Sequence, residues 1–533
     1  MIGLIGPIGR IPPIFQGDTM KENKQLASAT ALPPTQTSRR LFFFDEAGPD
    51  GARNVRHVYA PVEKLGVVID AEKPWEEAGP ATFCGTILRL DGGRLRLYYT
   101  VRDKQTRMRI AIAESDDGLK WERVPLGQDA RYDADCNVIW FEGVPSGPVD
   151  PNAPDEMVAD DGRVIRGAAE HCRQDSVGQP QVWRRDNGAW CMLFWFHQHG
   201  WGLPGYLYTY AESSDGLKWT VPEFGKAALL PHFQHHQNRD LTDEQKLHER
   251  SIATNDANFV YFNPWLQCFE QFSQWMLPSI PDRRVEVDNC PMYNRMIQRR
   301  TSVDGKVWSA PQLVIQADDK DPWDMQYYHM SAQYHEDWMI GSLGHYRVED
   351  GQQTMDLELC FSRDGRTWER PLRGGLIPRD PDGRECEGVY PPNAWIDEGD
   401  TWLCLYTATA RKHNQHAKED MSPGCIMGAR WAKNRFVGLE AGSVPGGFLT
   451  EVFYPQQAEI TIDADIKGWL KAELCDAWGR KLDGFHLADA DTVQGDSTAH
   501  VLRWQGKDAT GLEHLAVRLR FEFAEGTVYG VGF

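Results

Sequence analysis

One seven-residue pattern recurs four times in this chain and limits the folds that the chain can adopt. The pattern is S-x-D-G-x-x-W, and its copies begin at Ser115, Ser213, Ser302 and Ser362, at spacings of 98, 89 and 60 residues. Asp-Gly favours a hairpin turn because the turn needs a positive φ, and the Ser and Asp side chains can accept bonds from the turn amides. Four copies at these spacings predict a sheet unit that is repeated around an axis.

Apolar strand patterns precede each copy of the turn. LRLYYT and MRIAIAES come directly before the first copy, and ATFCGTILRL lies upstream of them. This is the strand content of a four-stranded propeller blade. A fifth unit fits GVYPPNAWIDE, TWLCLYTATA and CIMGARWA, where the turn is reduced to KNRFVG. The sequence therefore predicts a five-bladed β-propeller over residues 41–445.

The two ends of the chain differ from the repeated part. After Gly446, alternating patterns such as EITIDADI and VRLRFEF predict a β-sandwich over residues 446–533. We expect residues 1–40 to form a flexible arm, unless translation starts at Met20. The clearest helical pattern is LTDEQKLHERSI at 241–252. The predicted fold class is all-β: a five-bladed β-propeller followed by a C-terminal β-sandwich.

Composition narrows the range of partners. The net charge of −20 disfavours nucleic acid, and no apolar run is long enough for a membrane span. Eleven cysteines, odd in number and without a C-x-x-C pair, favour reduced thiols and a cytoplasmic location. Twenty tryptophans suit either stacking on sugar rings or core packing. These features disfavour nucleic acid and membrane partners and leave sugar stacking and core packing equally open.

Several segments resemble the five-bladed propeller glycosidase superfamily. They are LFFFDE, KPWEE, CGTILRLDGGRLRLYYT with its S-x-D-G-x-x-W turn, and DMQYYHMSAQYHEDWMIGSLGHY. The resemblance is to the clan of glycoside hydrolase families 32, 43 and 68, and especially to its bacterial members with a C-terminal β-sandwich. It implies a glycoside hydrolase. The N-D-P-N-G motif of family 32 is absent, so fructofuranoside specificity is not carried over.

In propellers of this kind the innermost strand of each blade lines a central funnel, so an acid at the start of that strand would face the substrate. Glycoside hydrolysis needs a carboxylic acid with a raised pKa and an ionised partner. We expect Glu387 to be the acid, because Glu385 would raise its pKa if both faced the funnel. Glu76, rather than the adjacent Glu77, is the expected base or nucleophile. The resemblance implies a third carboxylate, for which the candidates are Asp256 and Asp324.

Other residues near the predicted inner strands could bind the sugar. The candidates are Asp175, His197, Trp201, Tyr328, His329, His345 and Glu385. The segment HQHGW at 197–201 has no third ligand at a suitable spacing, so no metal site is predicted. No cofactor is predicted either, and a structural calcium in the funnel is the one metal left open.

Two other functions fit the same fold. A non-catalytic carbohydrate-binding propeller would keep the aromatic platforms and lose the paired acids, whereas a lyase or epimerase would use His and Tyr as acid and base. The several carboxylates favour hydrolysis. Long inserts such as 144–180 and 270–295 would close the funnel over a terminal or small glycoside, furanosides included. The insertion at 223–250 is long enough to be functional or to mediate a homo-oligomer.

Overall fold

The chain is built almost entirely from β-strands. The computed structural model describes residues 40–105, 107–146, 156–158, 164–166, 173–175, 177–185, 187–196, 207–224, 257–278, 293–348, 353–393, 395–413 and 422–533. Within these ranges the helical turns are the 3-10 segments Pro74–Glu76 and Arg173–Asp175. The predicted all-β class is confirmed. The predicted helix at 241–252 and nearly all of the predicted arm lie outside the described residues.

In the described ranges, no helix combines the length and the apolar character that crossing a membrane would require.

The strands before and within the first three blades follow one another in chain order. Four strands come first: β1 (Arg40–Phe42), β2 (Asp50–Arg53), β3 (Arg56–Tyr59) and β4 (Glu63–Ile69). Blade 1 contains β5 (Gly79–Arg89), β6 (Leu95–Arg102), β7 (Met108–Ser115) and β8 (Glu122–Arg123). The edge strand β9 (Phe141–Glu142) and the hairpin of β10 (Glu156–Val158) and β11 (Val164–Arg166) follow. Blade 2 joins β9 to β12 (Val177–Arg184), β13 (Trp190–Phe196), β14 (Leu207–Ser213) and β15 (Trp219–Thr220). Blade 3 contains β16 (Phe259–Asn263), β17 (Cys268–Pro278), β18 (Tyr293–Ser302) and β19 (Gln312–Ile315).

The last two blades and the C-terminal sheet complete the chain. Blade 4 contains β20 (Met325–His335), β21 (Trp338–Arg347) and β22 (Thr354–Ser362). Blade 5 contains β23 (Gly388–Tyr390), β24 (Trp395–Asp397), β25 (Thr401–Thr409) and β26 (Cys425–Ala432). The strands after the propeller are β27 (Val437–Ala441), β28 (Gly446–Leu449), β29 (Thr461–Asp476), β30 (Val493–Val501) and β31 (Val517–Gly532).

The ring of blades is closed by a strand that precedes blade 1. The inner strand β5 of blade 1 contacts β12 of blade 2 on one side, and β25 and β26 of blade 5 on the other. The outermost strand of blade 5 is β4, in which Ile69 pairs with Ile426 and Val67 pairs with Met427. The first and last parts of the propeller thus share one sheet. The predicted five blades are confirmed in the described part of the chain.

The C-terminal sheet draws strands from three parts of the sequence. Its central strand β31 pairs with β29 along one edge, and with β28, β27 and β1 along the other. β2 and β3 extend it through β28 and β27. β30 pairs with β29 on the other side, which makes eight strands. They form one sheet around a core that includes Ile462, Leu519 and Phe521. The strand pairing differs from the predicted division at residue 446, because β1, β2, β3 and β27 join this sheet and not the propeller.

Strand direction gives the propeller two unlike faces. On the mouth face, the inner strand of each blade begins, the second strand ends and the third begins; Met325, Arg347 and Thr354 are neighbours there in blade 4. On the opposite face, which we call the turn face, the third strands end at Ser115, Ser213, Ser302 and Ser362. All four repeated turns therefore lie on the turn face. The long connections start and finish on the mouth face, which is the usual place for function in such a scaffold.

Candidate functional site

Polar side chains close the propeller axis between the blades. The Asn393 amide donates to the side-chain oxygen of Gln181 at 3.3 Å and also to the backbone carbonyl of Gly85. The same Gln181 oxygen accepts the backbone N–H of Val260 at 3.0 Å. These bonds connect blades 5, 1, 2 and 3, so a ligand that approaches from the mouth face stops above them.

The inner strands of blades 2 and 3 begin with strained backbone. Gln179 has φ 54° and Ala257 has φ 62°. The side-chain oxygen of Gln179 accepts the Ala257 N–H and the Tyr208 hydroxyl, both at 2.9 Å. Positive φ in non-glycine residues costs about 1–3 kcal/mol and is concentrated at functional sites. One glutamine thus holds two strained strand starts together at the mouth face.

Glu387 lies at the start of the inner strand of blade 5, as the sequence predicts. Its backbone is fixed, because its N–H donates to the Thr409 carbonyl at 3.1 Å and its carbonyl accepts the Met355 N–H at 3.2 Å. Its side chain is half-buried. In the described part of the chain, no group donates to or pairs with the Glu387 carboxylate. It is therefore an acid at the mouth face with its full hydrogen-bonding capacity available.

Glu385 points away from Glu387 and from the axis. Its carboxylate is buried and lies 2.8 Å from the ammonium of Lys64. Lys64 belongs to β4, which is the outermost strand of blade 5. The expected like-charge effect of Glu385 on Glu387 has no support in this geometry, and Glu385 is placed to hold β4 on the ring.

Asp324 is on the mouth face at the start of the inner strand of blade 4. Its buried carboxylate accepts two bonds of 2.9 Å from the Nε of Arg347, which ends β21. The Val348 N–H donates to it at 3.2 Å. Asp324 is therefore bound to Arg347 and to the backbone at the mouth end of blade 4.

Glu76 is held by partners on β6 and β8 of its own blade instead of facing the axis. Its carboxylate is fully buried and accepts the Tyr99 hydroxyl at 3.0 Å and two Arg123 nitrogens at 2.8 and 2.9 Å. Arg123 lies on β8, the outermost strand of blade 1. Burial is the main cause that raises the pKa of Tyr99 far above its usual range. The placement of Glu76 is that of a structural ion pair, and the neighbouring Glu77 is exposed.

Asp175 is also committed to arginines. Its buried carboxylate lies 2.8 Å from Arg109 of β7, and it accepts bonds of 2.8 and 2.9 Å from Arg131. Arg109 and Arg131 belong to blade 1 and to the connection that follows it, so this ion pair joins blades 1 and 2. Its oxygens bind protein groups, whereas the sequence predicted a sugar contact.

Two of the predicted histidines are buried in different places. His329 is fully buried near the axis with its Nδ1 3.3 Å from the Ala257 carbonyl, and burial lowers its pKa to about 4. His345 is buried inside blade 4, where its Nε2 contacts the Glu358 carboxylate. Glu358 in turn pairs with Arg370. Neither imidazole is placed as an exposed sugar contact. Asp256, His197 and Trp201 lie outside the described residues, so their roles stay predictions.

A cluster that the sequence did not single out lies on the mouth face. We call it the mouth cluster, and its members come from blades 3, 4 and 5: Arg295, Tyr328, Tyr346, Tyr390, Arg411 and His413. The Tyr390 hydroxyl is 2.9 Å from Nδ1 of His413. The His413 ring lies 4.7 Å from the Tyr328 ring and 5.0 Å from the Tyr346 ring. Only Tyr328 of this cluster was a predicted contact.

Arginines in and beside the mouth cluster share a position in their blades that can be recognised in the sequence. Arg102 and Arg347 end the second strand of their blades at the mouth face, and Arg411 lies two residues after the end of its second strand. The Arg295 guanidinium lies 4.8 Å from the centre of the Tyr346 ring. An arginine after the second strand of a blade is therefore a sequence signal for the mouth face.

In the described ranges, no group of three or more His, Cys, Asp or Glu side chains is arranged to hold a metal ion. The calcium that the sequence left open stays a prediction.

No protein-family model matches the sequence. No curated protein matches it either. Among solved structures, one described as a glycoside hydrolase is 14% identical with a TM-score of 0.43, over 70% of this chain and 92% of its own. A β-1,2-mannobiose phosphorylase from Listeria innocua is 11% identical with a TM-score of 0.42, over 70% and 97%. The catalytic domain of a Coprinopsis cinerea GH62 α-L-arabinofuranosidase is 10% identical with a TM-score of 0.39, over 70% and 98%. TM-scores this low denote a loose likeness that says nothing of activity.

Proposed function

We propose that this protein is a glycoside hydrolase that acts on a terminal or small glycoside at the mouth face, with Glu387 as general acid. One observation carries the proposal. Of the acids assigned a role from the sequence and described in the structure, Glu76, Asp175, Asp324 and Glu385 are buried against Arg or Lys, whereas Glu387 is half-buried and unpaired. A general acid must be able to gain and lose a proton, which a carboxylate fixed by a guanidinium does poorly.

The remaining roles follow from the partners of each acid. The Asp324 carboxylate is held in place by Arg347, so it suits the stabilisation of positive charge in the transition state rather than attack. We assign the base or nucleophile to Asp256, a candidate third carboxylate in the sequence analysis, in place of Glu76. In this mechanism Glu387 protonates the leaving oxygen as the glycosidic bond breaks. The sugar carbon is attacked by water or by the second carboxylate.

A glycosidase assay with the Glu387→Gln variant tests the proposal. We expect kcat to fall by about 10²–10⁴ with an unchanged melting temperature, because only proton transfer is lost. The loss should shrink for a nitrophenyl glycoside, whose leaving group needs little protonation. Glu398→Gln is the matched control on the turn face of the same blade, where Glu398 pairs with Arg430. Equal turnover by Glu387→Gln and wild type on an alkyl glycoside would contradict the role of Glu387.

The Tyr390–His413 pair favours one other function, that of a lyase. A lyase removes a proton from the carbon beside a carboxylate, and the electron pair forms a double bond while the glycosyl oxygen leaves from the next carbon. A tyrosine hydroxyl bonded to an imidazole can act as that base. The products distinguish the two reactions, since only the lyase gives an unsaturated sugar that absorbs ultraviolet light. Tyr390→Phe should abolish a lyase, and Glu387→Gln should abolish a hydrolase.

A further inference from the structure

The Arg411 guanidinium at the mouth face is half-buried and lacks the carboxylate partner that several other arginines of this protein have. Arg109, Arg123 and Arg370 each lie within 2.5–2.8 Å of a buried carboxylate. No carboxylate in the described part of the chain pairs with Arg411. Its Nη2 donates to the Ala78 carbonyl at 2.9 Å, and its Nε is buried without a hydrogen-bond partner. A buried polar atom left without a partner is unusual and needs an explanation.

The surroundings of Arg411 do not compensate its positive charge. Burial is the largest cause that lowers its pKa, and the opposing influence comes from Tyr390, which is not a carboxylate. The protein as a whole carries a net charge of −20, so acidic partners are abundant elsewhere on the chain. A cation that is partly withdrawn from water and has no counter-ion is destabilising unless a bound anion compensates its charge. A guanidinium presents paired donors that match the two oxygens of a carboxylate.

The position of Arg411 relates it to the proposed chemistry. Its backbone N–H donates to the hydroxyl oxygen of Thr409, and Glu387 donates its own N–H to the Thr409 carbonyl. The free acid and the unpaired cation therefore flank one residue at the mouth end of blade 5. The Ala78 carbonyl, which Arg411 reaches, precedes the inner strand of blade 1. Arg411 thus spans the mouth between the last and the first blade.

We propose that Arg411 binds the carboxylate of a uronic acid residue, so that the glycoside taken by this site is a uronoside. The inference rests on the proposed function for the location of the site, and it narrows the substrate class. The neutral sugars of the same configuration would leave Arg411 without its anion. They should therefore bind more weakly.

Calorimetric binding to the Glu387→Gln protein tests this without turnover. The probes are methyl glycosides of glucuronate, galacturonate and mannuronate, each beside its neutral parent sugar and a sulfated derivative. We expect at least one uronate to bind about 10- to 100-fold more tightly than its neutral parent, the range for a charge-assisted bond. Adding Arg411→Gln should remove that preference without weakening the neutral sugar. The preference should also decline as salt is raised.

Control variants keep the outcome decisive. Arg430→Gln removes a guanidinium at the turn face of the same blade and should leave the preference intact. Arg411→Lys keeps the charge but not the paired donors, and it should retain part of the preference even if Arg411→Gln does not fold. Equal binding of uronates and neutral sugars, a preference that survives Arg411→Gln, binding of sulfated sugars alone, or no binding at all would overturn the proposal. Uronate binding without hydrolysis by wild type would instead refute the proposed function alone.

Discussion

In three of the four S-x-D-G-x-x-W turns, the tryptophan that ends the turn donates back to the glycine carbonyl of that turn; the exception is Trp308. The Trp219 Nε1 donates to the Gly216 carbonyl at 3.2 Å, and Trp121 makes the same bond to Gly118 at 2.8 Å. Within each turn the serine hydroxyl accepts the glycine N–H, as Ser115 does at 2.8 Å. The turn is thus a closed set of local bonds covered by an indole. Its tryptophan serves the fold and lies far from the mouth face.

Trp219→Ala should lower the free energy of unfolding by about 3–5 kcal/mol, because the indole is 1% exposed and its removal leaves a cavity. Urea denaturation followed by circular dichroism measures this. Trp478→Ala is the control, since that indole is 79% exposed and its loss should change stability by about 0.5 kcal/mol or less. Similar losses for the two variants would contradict a structural role for the turn tryptophan.

Whether an acid is free or paired could not be predicted from the sequence. Glu76, Glu385 and Glu387 all precede a predicted inner strand, and their local sequences give equal reason to choose each. What separates them is the partner on another strand: Arg123 on β8 for Glu76 and Lys64 on β4 for Glu385. Strand pairing between distant residues brings those cations into contact. Composition and motif spacing do not indicate these contacts between distant residues.

At the scale of the element, the repeated turn also packs one blade on the next. A Cβ on Gly216 of blade 2 would lie 2.7 Å from the Tyr98 hydroxyl of blade 1 and 2.9 Å from the Trp190 ring. A Cβ on Gly305 of blade 3 would lie 2.6 Å from Trp183 of blade 2. The Tyr98 hydroxyl donates to the Gly216 carbonyl at 2.7 Å. The turn therefore needs glycine for its φ and for its close approach to a neighbouring blade.

Gly216→Ala and Gly188→Ala separate these two needs. Both glycines have positive φ, 72° and 83°, but Gly188 has open space where its Cβ would be. Gly188→Ala should cost only the backbone strain of about 1–2 kcal/mol. Gly216→Ala should cost about 1–3 kcal/mol more, because the methyl group overpacks the contact between blades. Thermal and urea unfolding of the two variants measure the difference, and equal costs would show that the contact between blades is loose.

The repeated turns explain why the blades were predictable and the ring closure was not. Each turn is a local sequence signal. Four blades can therefore be predicted from the turn motif and from the strand patterns that precede it. The outer strand of blade 5 is β4, and β27, which begins within KNRFVG, pairs with β3 and β31. The partners of β4 lie more than three hundred residues away. No local pattern indicates which distant strand an edge will accept.

At the scale of the whole molecule, the buried axis makes stability depend on pH. His329 has a pKa of about 4 in the folded protein because of burial, against about 6.5 when exposed. Between these two pH values, His329 binds a proton in the unfolded chain but not in the folded protein. The contribution of His329 to the free energy of unfolding is therefore fully present above pH 6.5. It is lost as the pH falls toward 4, with a slope of up to about 1.4 kcal/mol per pH unit.

Urea unfolding of wild type and His329→Gln at pH 7.5, 6 and 5 tests this dependence. The variant should be less stable at pH 7.5 because packing is lost, but its stability should fall less steeply toward pH 5. Burial also lowers the pKa of His335 and of His57, so part of the slope should persist in the variant. Parallel curves for the two proteins would show that His329 does not carry the effect.

The use of early strands by late sheets has a consequence for how the protein is made. β4 must wait for β26, and β1, in which Leu41 pairs with Val531, must wait for the last strand of the chain. Such distant pairings slow folding, because the loop between the partners has to be closed first. Blades 1 to 3 can assemble while the later strands are still being translated. The edges of the first strands stay open until β26 and β31 have been synthesised, which makes this interval the one in which the nascent chain most needs protection from aggregation.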